Sequence, residues 1–116
     1  MLVDPIKRIG YAYRGAWFLV RTESSIQVQV VIAIVMTVAG FYFEISPTEW
    51  ILQIFAIALV LGIEGVNTAV EKMSDYIQPE FDEKIGFIKD ISAGAVMLVS
   101  LAASIVGLII YVPKII

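Results

Sequence analysis

The stretch GIEGVNTAVEKMSD, residues 62–75, sets Asn67, Glu71 and Asp75 at offsets of three, seven and eleven from Glu64. A helix turns about 100° per residue, so these offsets put Glu64, Asn67, Glu71 and Asp75 on one face. The stretch opens inside an apolar run and closes among charges. Two acids at different depths along one helix suit a reaction that joins a lipid-borne group to a water-borne one. The deeper acid, Glu64, can accept or orient the proton of a lipid hydroxyl. The shallower acid, Glu71, can hold Mg²⁺, which takes oxygen ligands and commonly one or two carboxylates plus phosphates. Phosphoryl transfer needs little more than positioning, a metal, cations for developing charge and a group to receive a proton. Glu23 is available as a second metal carboxylate and Lys89 as a point cation for phosphate. Asp90, beside it, reads as the N-cap of the helix that follows.

The elements that must position these groups follow from composition. The chain has 116 residues, of which 59% are hydrophobic and 16% charged. That is short of the roughly 25% charge of an average soluble domain. Three runs, near 26–43, 50–69 and 92–112, are long enough for a hydrocarbon core that takes about 20 helical residues. A fourth segment, 5–20, mixes cations and aromatics with aliphatics behind Pro5. It reads as an amphipathic helix lying on the membrane interface. The expected architecture is therefore all-α and integral to a membrane: one domain over 1–116, with three spans and an interfacial helix. Lys7, Arg8, Arg14 and Arg21 precede the first span, and Lys72, Lys84 and Lys89 lie between the second and third. Positive charge marks the cytoplasmic side, so the N-terminus and the 71–91 loop are expected there. Counting from Trp50 at the opposite boundary, Glu64 lies about 21 Å along the axis, at headgroup depth, with Glu71 about 10 Å further.

Composition also excludes chemistry. There is no cysteine and no histidine, so thiol and imidazole catalysis are out and proton or metal work falls to carboxylates. A net charge of −3 without a basic patch speaks against nucleic acid as a partner. The small residues Ser100, Ala103, Ser104 and Gly107 of the third span read as surfaces for close helix packing. Pro47 after Ser46 reads as the first turn of the second span. Two other readings of the stripe stand beside the kinase reading. Glu64 and Asn67 can act as polar glue between helices, and with Glu71 they can line an ion or proton path.

The pattern E-x-x-N-T-A-x-E-x-x-x-D of residues 64–75, with PEFDEK at 79–84 and KDISAGAV at 89–96, resembles the small prokaryotic diacylglycerol kinase family, which includes the undecaprenol kinases. GYAYRGAWF and Thr22-Glu23 match its leader and first acid, and the likeness covers nearly the whole chain. The resemblance implies a homotrimer in the bacterial cytoplasmic membrane, with active sites shared between subunits. It implies transfer of the ATP γ-phosphate to a lipid hydroxyl, with diacylglycerol as acceptor and undecaprenol as the alternative. It assigns the general base to Glu64, the metal carboxylates to Glu23 and Glu71, and an ordering role to Asn67. Nucleotide contacts would fall on Tyr11, Glu80, Asp82, Lys89 and Asp90. The chain departs from the family at Asp82, where a histidine is usual, and at Gln29, where some members carry glutamate. Asp4 stands where some relatives carry arginine.

Overall fold

The computed structural model describes residues 4–116, and every regular element among them is helical. In chain order these are α1 (Pro5–Thr22), α2 (Ser24–Tyr42), α3 (Pro47–Ile77) and α4 (Glu83–Ile115). The last three are each long and apolar enough to cross a membrane, and the chain is a multi-pass membrane protein.

Two helices run well past the apolar windows expected for them. The window 50–69 ends where hydrocarbon ends, but nothing between Ala69 and Ile77 breaks a helix, so α3 continues for about 12 Å more. It stops at Gln78 because the following Pro79 disfavours helical geometry in the residue before it. On the other side of the turn, α4 begins nine residues before the expected position 92. Glu71 and Asp75 therefore stand on the same unbroken helix as Glu64.

The ends are defined by local chemistry. Ser46 and Glu49 form a reciprocal capping box on α3, with Pro47 in its first turn, as the EISPTEW stretch suggests. Lys114 reaches across from the end of α4 to Glu49 at 3.0 Å. Asp4 caps α1 by accepting from the Ile6 amide, and Pro5 follows it. No residue of α1 is buried, and Ile6, Ile9, Tyr13 and Trp17 all face outward.

The packed core lies at the α2–α3 turn, where Ile45, Ile110 and Tyr111 are buried against Met36, Phe43 and Trp50. Gly40 is required there, since a Cβ would stand 2.7 Å from the Trp50 ring. Within this core, the Tyr111 hydroxyl donates to the Gln53 amide oxygen at 2.6 Å. The Gln53 amide nitrogen donates in turn to the Met36 carbonyl at 3.0 Å. One short chain of hydrogen bonds thus joins α4, α3 and α2 where no water is available to satisfy these groups.

The small residues of α4 behave differently from expectation. Ser100, Ala103, Ser104 and Gly107 line a cleft of about 650 Å³ between α2, α3 and α4. A Cβ on Gly107 would meet nothing within 4 Å, so within the chain these residues leave space and do not draw helices together. The Ser104 hydroxyl is spent on the Ser100 carbonyl one turn back.

Replacing Tyr111 by Phe removes the donor that the buried Gln53 amide oxygen depends on. The expected loss is about 1 kcal/mol of folding stability, read from reversible unfolding in detergent micelles. Tyr42→Phe, at a side chain 75% exposed, is the matched control and should be neutral.

Candidate active site

The polar face of α3 is continuous and graded in exposure. Glu64 and Thr68 are buried, Asn67 is half-buried, and Glu71 and Asp75 are exposed. The Asn67 amide nitrogen donates to one Glu71 carboxylate oxygen at 2.8 Å, which fixes both side chains along the helix. The Thr68 hydroxyl folds back on the Glu64 carbonyl at 3.1 Å and takes no part in the stripe. The Asn67 amide oxygen is buried without a partner. The donor end of that amide is held by a carboxylate, so the orphaned end is an acceptor suited to a hydroxyl or a cation.

The last turn of α1 lies against α3 beside this stripe. Leu19 packs over Gly65, where an added Cβ would sit 3.0 Å from its methyl group. The Lys72 ammonium stands 5.3 Å from the Phe18 ring centre and 3.5 Å from a Glu23 carboxylate oxygen. Glu23 is the single extended residue between α1 and α2. It occupies the N-cap position of α2, but its side chain makes no capping bond and goes to Lys72. Gln27 secures the same joint by donating to the carbonyls of Val20 and Arg21.

At the far end of the stripe, Asp75 and Lys89 form an ion pair from α3 to α4. Together with Gln78–Asp82, Ile85 and Gly86 they enclose a depression of about 150 Å³. Three of the residues expected to meet a nucleotide, Glu80, Asp82 and Lys89, line that one depression. Asp90 does not, and it is not a cap: the N-cap of α4 is Asp82, whose carboxylate accepts from the Lys84 and Ile85 amides at 2.9 and 3.2 Å. The reading of Asp90 as N-cap fails because the helix begins a full two turns earlier. An acid at 82 is thus accounted for locally, since a carboxylate is among the best acceptors for free amides at a helix start. Tyr11 stays on the exposed side of α1, its ring 5.7 Å from the Arg14 guanidinium.

The donor set fits Mg²⁺. Glu23, at the end of α1, and Glu71, on α3, each offer carboxylate oxygens, and the Asn67 oxygen is a neutral acceptor one turn before Glu71. No group of three ligating side chains that could hold a metal ion converges among the described residues. Sequence reasoning used Lys72 only to orient the chain and passed over Gln53 and Tyr111. The signal for Gln53 was present: it precedes Glu64 by eleven residues and so shares its face.

Comparison with known proteins adds a consistent picture. The family model described as prokaryotic diacylglycerol kinase matches residues 10–111. The undecaprenol kinase of Bacillus subtilis (strain 168) is 33% identical over 108 residues, covering 93% of this chain and 88% of that protein. The diacylglycerol kinase of Escherichia coli (strain K12) is 28% identical over 103 residues, covering 86% and 82%. That of Haemophilus influenzae is 28% identical over 108 residues, covering 93% and 89%.

Asp82→Ala should fray the start of α4, at a cost of about 1 kcal/mol. Amide hydrogen exchange at residues 83–86 should quicken, while Asp82→Asn should keep most of the protection.

Proposed function

This chain belongs to the prokaryotic diacylglycerol kinase family and is a lipid kinase; from that premise we propose that it moves the γ-phosphoryl group of Mg-ATP onto a membrane lipid hydroxyl through the polar face of α3. The observation that carries this reading is the gradient along one helix, from buried Glu64 through half-buried Asn67 to exposed Glu71. A lipid hydroxyl reaches Glu64 from the hydrocarbon side, and a nucleotide reaches Glu71 from water. Glu64 receives or orients the hydroxyl proton as the oxygen attacks phosphorus. Glu71 and Glu23 hold the metal, and Asn67 keeps the Glu71 carboxylate in place. When bound, Mg²⁺ neutralises phosphate oxygens and helps align the transferred group. Lys89 meets phosphate charge, and Glu80, Asp82, Asp90 and Tyr11 are assigned to the nucleotide by family analogy.

The whole chain acts as one membrane-embedded unit in a bacterial cytoplasmic membrane, with its N-terminus and the α3–α4 turn in the cytoplasm and α1 on the inner interface. Seven of its eight cations lie on that side of the spans. Homotrimeric assembly completes the site. A chain with only two metal carboxylates at the α1–α3 contact and a wide apolar cleft gains walls from a neighbouring copy.

Diacylglycerol, yielding phosphatidic acid, is the first acceptor proposed. Undecaprenol is the second, and one observation favours it: the relative named undecaprenol kinase shares 33% identity, against 28% for the two diacylglycerol kinases compared. Incubating the purified protein with labelled ATP and Mg²⁺ and each lipid in turn decides between them. Label in neither extracted lipid would sink the kinase reading.

Glu64→Gln should lower turnover about 100- to 10,000-fold, the scale of a lost general base, with nucleotide binding retained. Glu71→Ala should raise the Mg²⁺ concentration for half-maximal rate about tenfold or more. An unchanged metal dependence in that variant would remove Glu71 from the metal site.

A further inference from the structure

We infer that Lys72 is a positioning residue, which clamps the α1–α2 joint onto α3 and so holds Glu23 beside the turn that carries Glu71. The inference rests on the reading of Glu23 and Glu71 as metal carboxylates and adds a residue to which that reading gives no role.

Three observations converge on Lys72. Its ammonium is within 3.5 Å of the Glu23 carboxylate and 5.3 Å from the centre of the Phe18 ring. One side chain therefore grips both the last turn of α1 and the residue that ends it. Seven residues back on α3, Gly65 makes room for Leu19, and a seven-residue interval returns to nearly the same side of a helix. The end of α1 is thus laid along two turns of α3, bordering the stripe from Glu64 to Glu71.

The clamp matters because α1 itself is weakly held, whereas α2 is anchored from Ile26, which is buried. No residue of α1 is buried, and Gln27 ties α1 only to the start of α2. The Glu23 backbone is tied to Leu19 and Gln27, but its side chain makes no capping bond, so its carboxylate takes its direction from another helix. Lys72 supplies that direction. Its aliphatic stem covers the apolar surface of Phe18 while its charge fixes Glu23. An ammonium paired with one oxygen of Glu23 at 3.5 Å leaves the other oxygen for a metal. Lys72 acts through Glu23 and needs no contact with the reacting atoms.

The test uses Lys72→Met, which keeps the stem and removes the charge, and Lys72→Arg, which keeps both. The chain has no cysteine, so a nitroxide at Tyr13→Cys, an exposed position on α1, reports that helix alone. In the full-length protein in bilayer nanodiscs, Lys72→Met should sharpen the nitroxide spectrum, and Lys72→Arg should leave it as in the parent. In the lipid phosphorylation assay, Lys72→Met should raise the Mg²⁺ needed for half-maximal rate about three- to fivefold, the scale of one partly exposed ion pair. The limiting rate at saturating Mg²⁺ should change little, and Lys72→Arg should restore the parent value. An unchanged spectrum in Lys72→Met, a lowered Mg²⁺ requirement, or an Arg variant as impaired as the Met variant would each overturn the inference. If the parent protein phosphorylates no lipid, the kinase reading fails instead, and the nitroxide spectrum still judges the clamp.

Discussion

A polar side chain on a helix in hydrocarbon has to find its partner within the protein, and α3 meets that constraint by collecting its polar groups on one face. Gln53, Glu64, Asn67 and Thr68 are separated by eleven, three and one residues and all turn toward the other helices. At one end the solution is complete. Gln53 receives the Tyr111 hydroxyl and gives its own proton to the Met36 carbonyl, so three helices are joined with no polar atom of the amide wasted. At the other end it is deliberately incomplete, because Glu64 is buried and the Asn67 oxygen has no partner. A buried acceptor left open costs roughly 1–3 kcal/mol. The satisfied cluster near the α2–α3 turn helps supply the rigidity that tolerates such a cost further along the same face.

The same face explains how a small chain reaches two phases. An apolar run only tells where hydrocarbon stops, whereas a helix stops where its backbone geometry is interrupted. Those two events are separated here by about two turns on α3 and by about two and a half at the start of α4. The extra turns carry Glu71, Asp75 and Lys89 into water on a rigid scaffold. Groups carried on helices hold their geometry better than groups on loops, so the overrun gives these side chains a rigid support. The short turn at 78–82 then folds Glu80 and Asp82 into the same depression as Lys89.

This also marks what was legible beforehand. The stripe from Glu64 to Asp75 is a periodicity, and periodicity needs only the assumption of a helix, so its members could be named from spacing alone. The span positions followed from hydropathy for the same reason. The α4 start was not legible from hydropathy, because Asp90 and Asp82 are both cap-forming residue types and the apolar run marks only the later one. Nor was the use of the α4 small residues. Spacing says that Ser100, Ala103, Ser104 and Gly107 share a surface, but not whether a neighbour fills it. Lys72 is the sharpest case. As a lysine next to a loop it counts toward topology, and its grip on Phe18 and Glu23 exists only once α1 has turned back onto α3.

The two acids proposed for the metal are therefore held by different means, and the difference has a consequence. Glu71 is fixed within its own helix by Asn67, a bond between residues one turn apart that survives as long as the helix does. Glu23 is fixed only through contacts between helices, at a joint whose first helix buries no residue. Local openings are drawn from the regions with the fewest buried contacts, so α1 will part from α3 more readily than the stripe will unwind. Movement of α1 then changes the distance between the two carboxylates without disturbing Glu64 or Asn67. On the proposed assignment, such a site keeps its lipid-facing half in place and assembles its metal-facing half from a part that can leave. That order suits an enzyme whose lipid substrate is always at hand in the bilayer, while the nucleotide must enter and depart through water on every turnover.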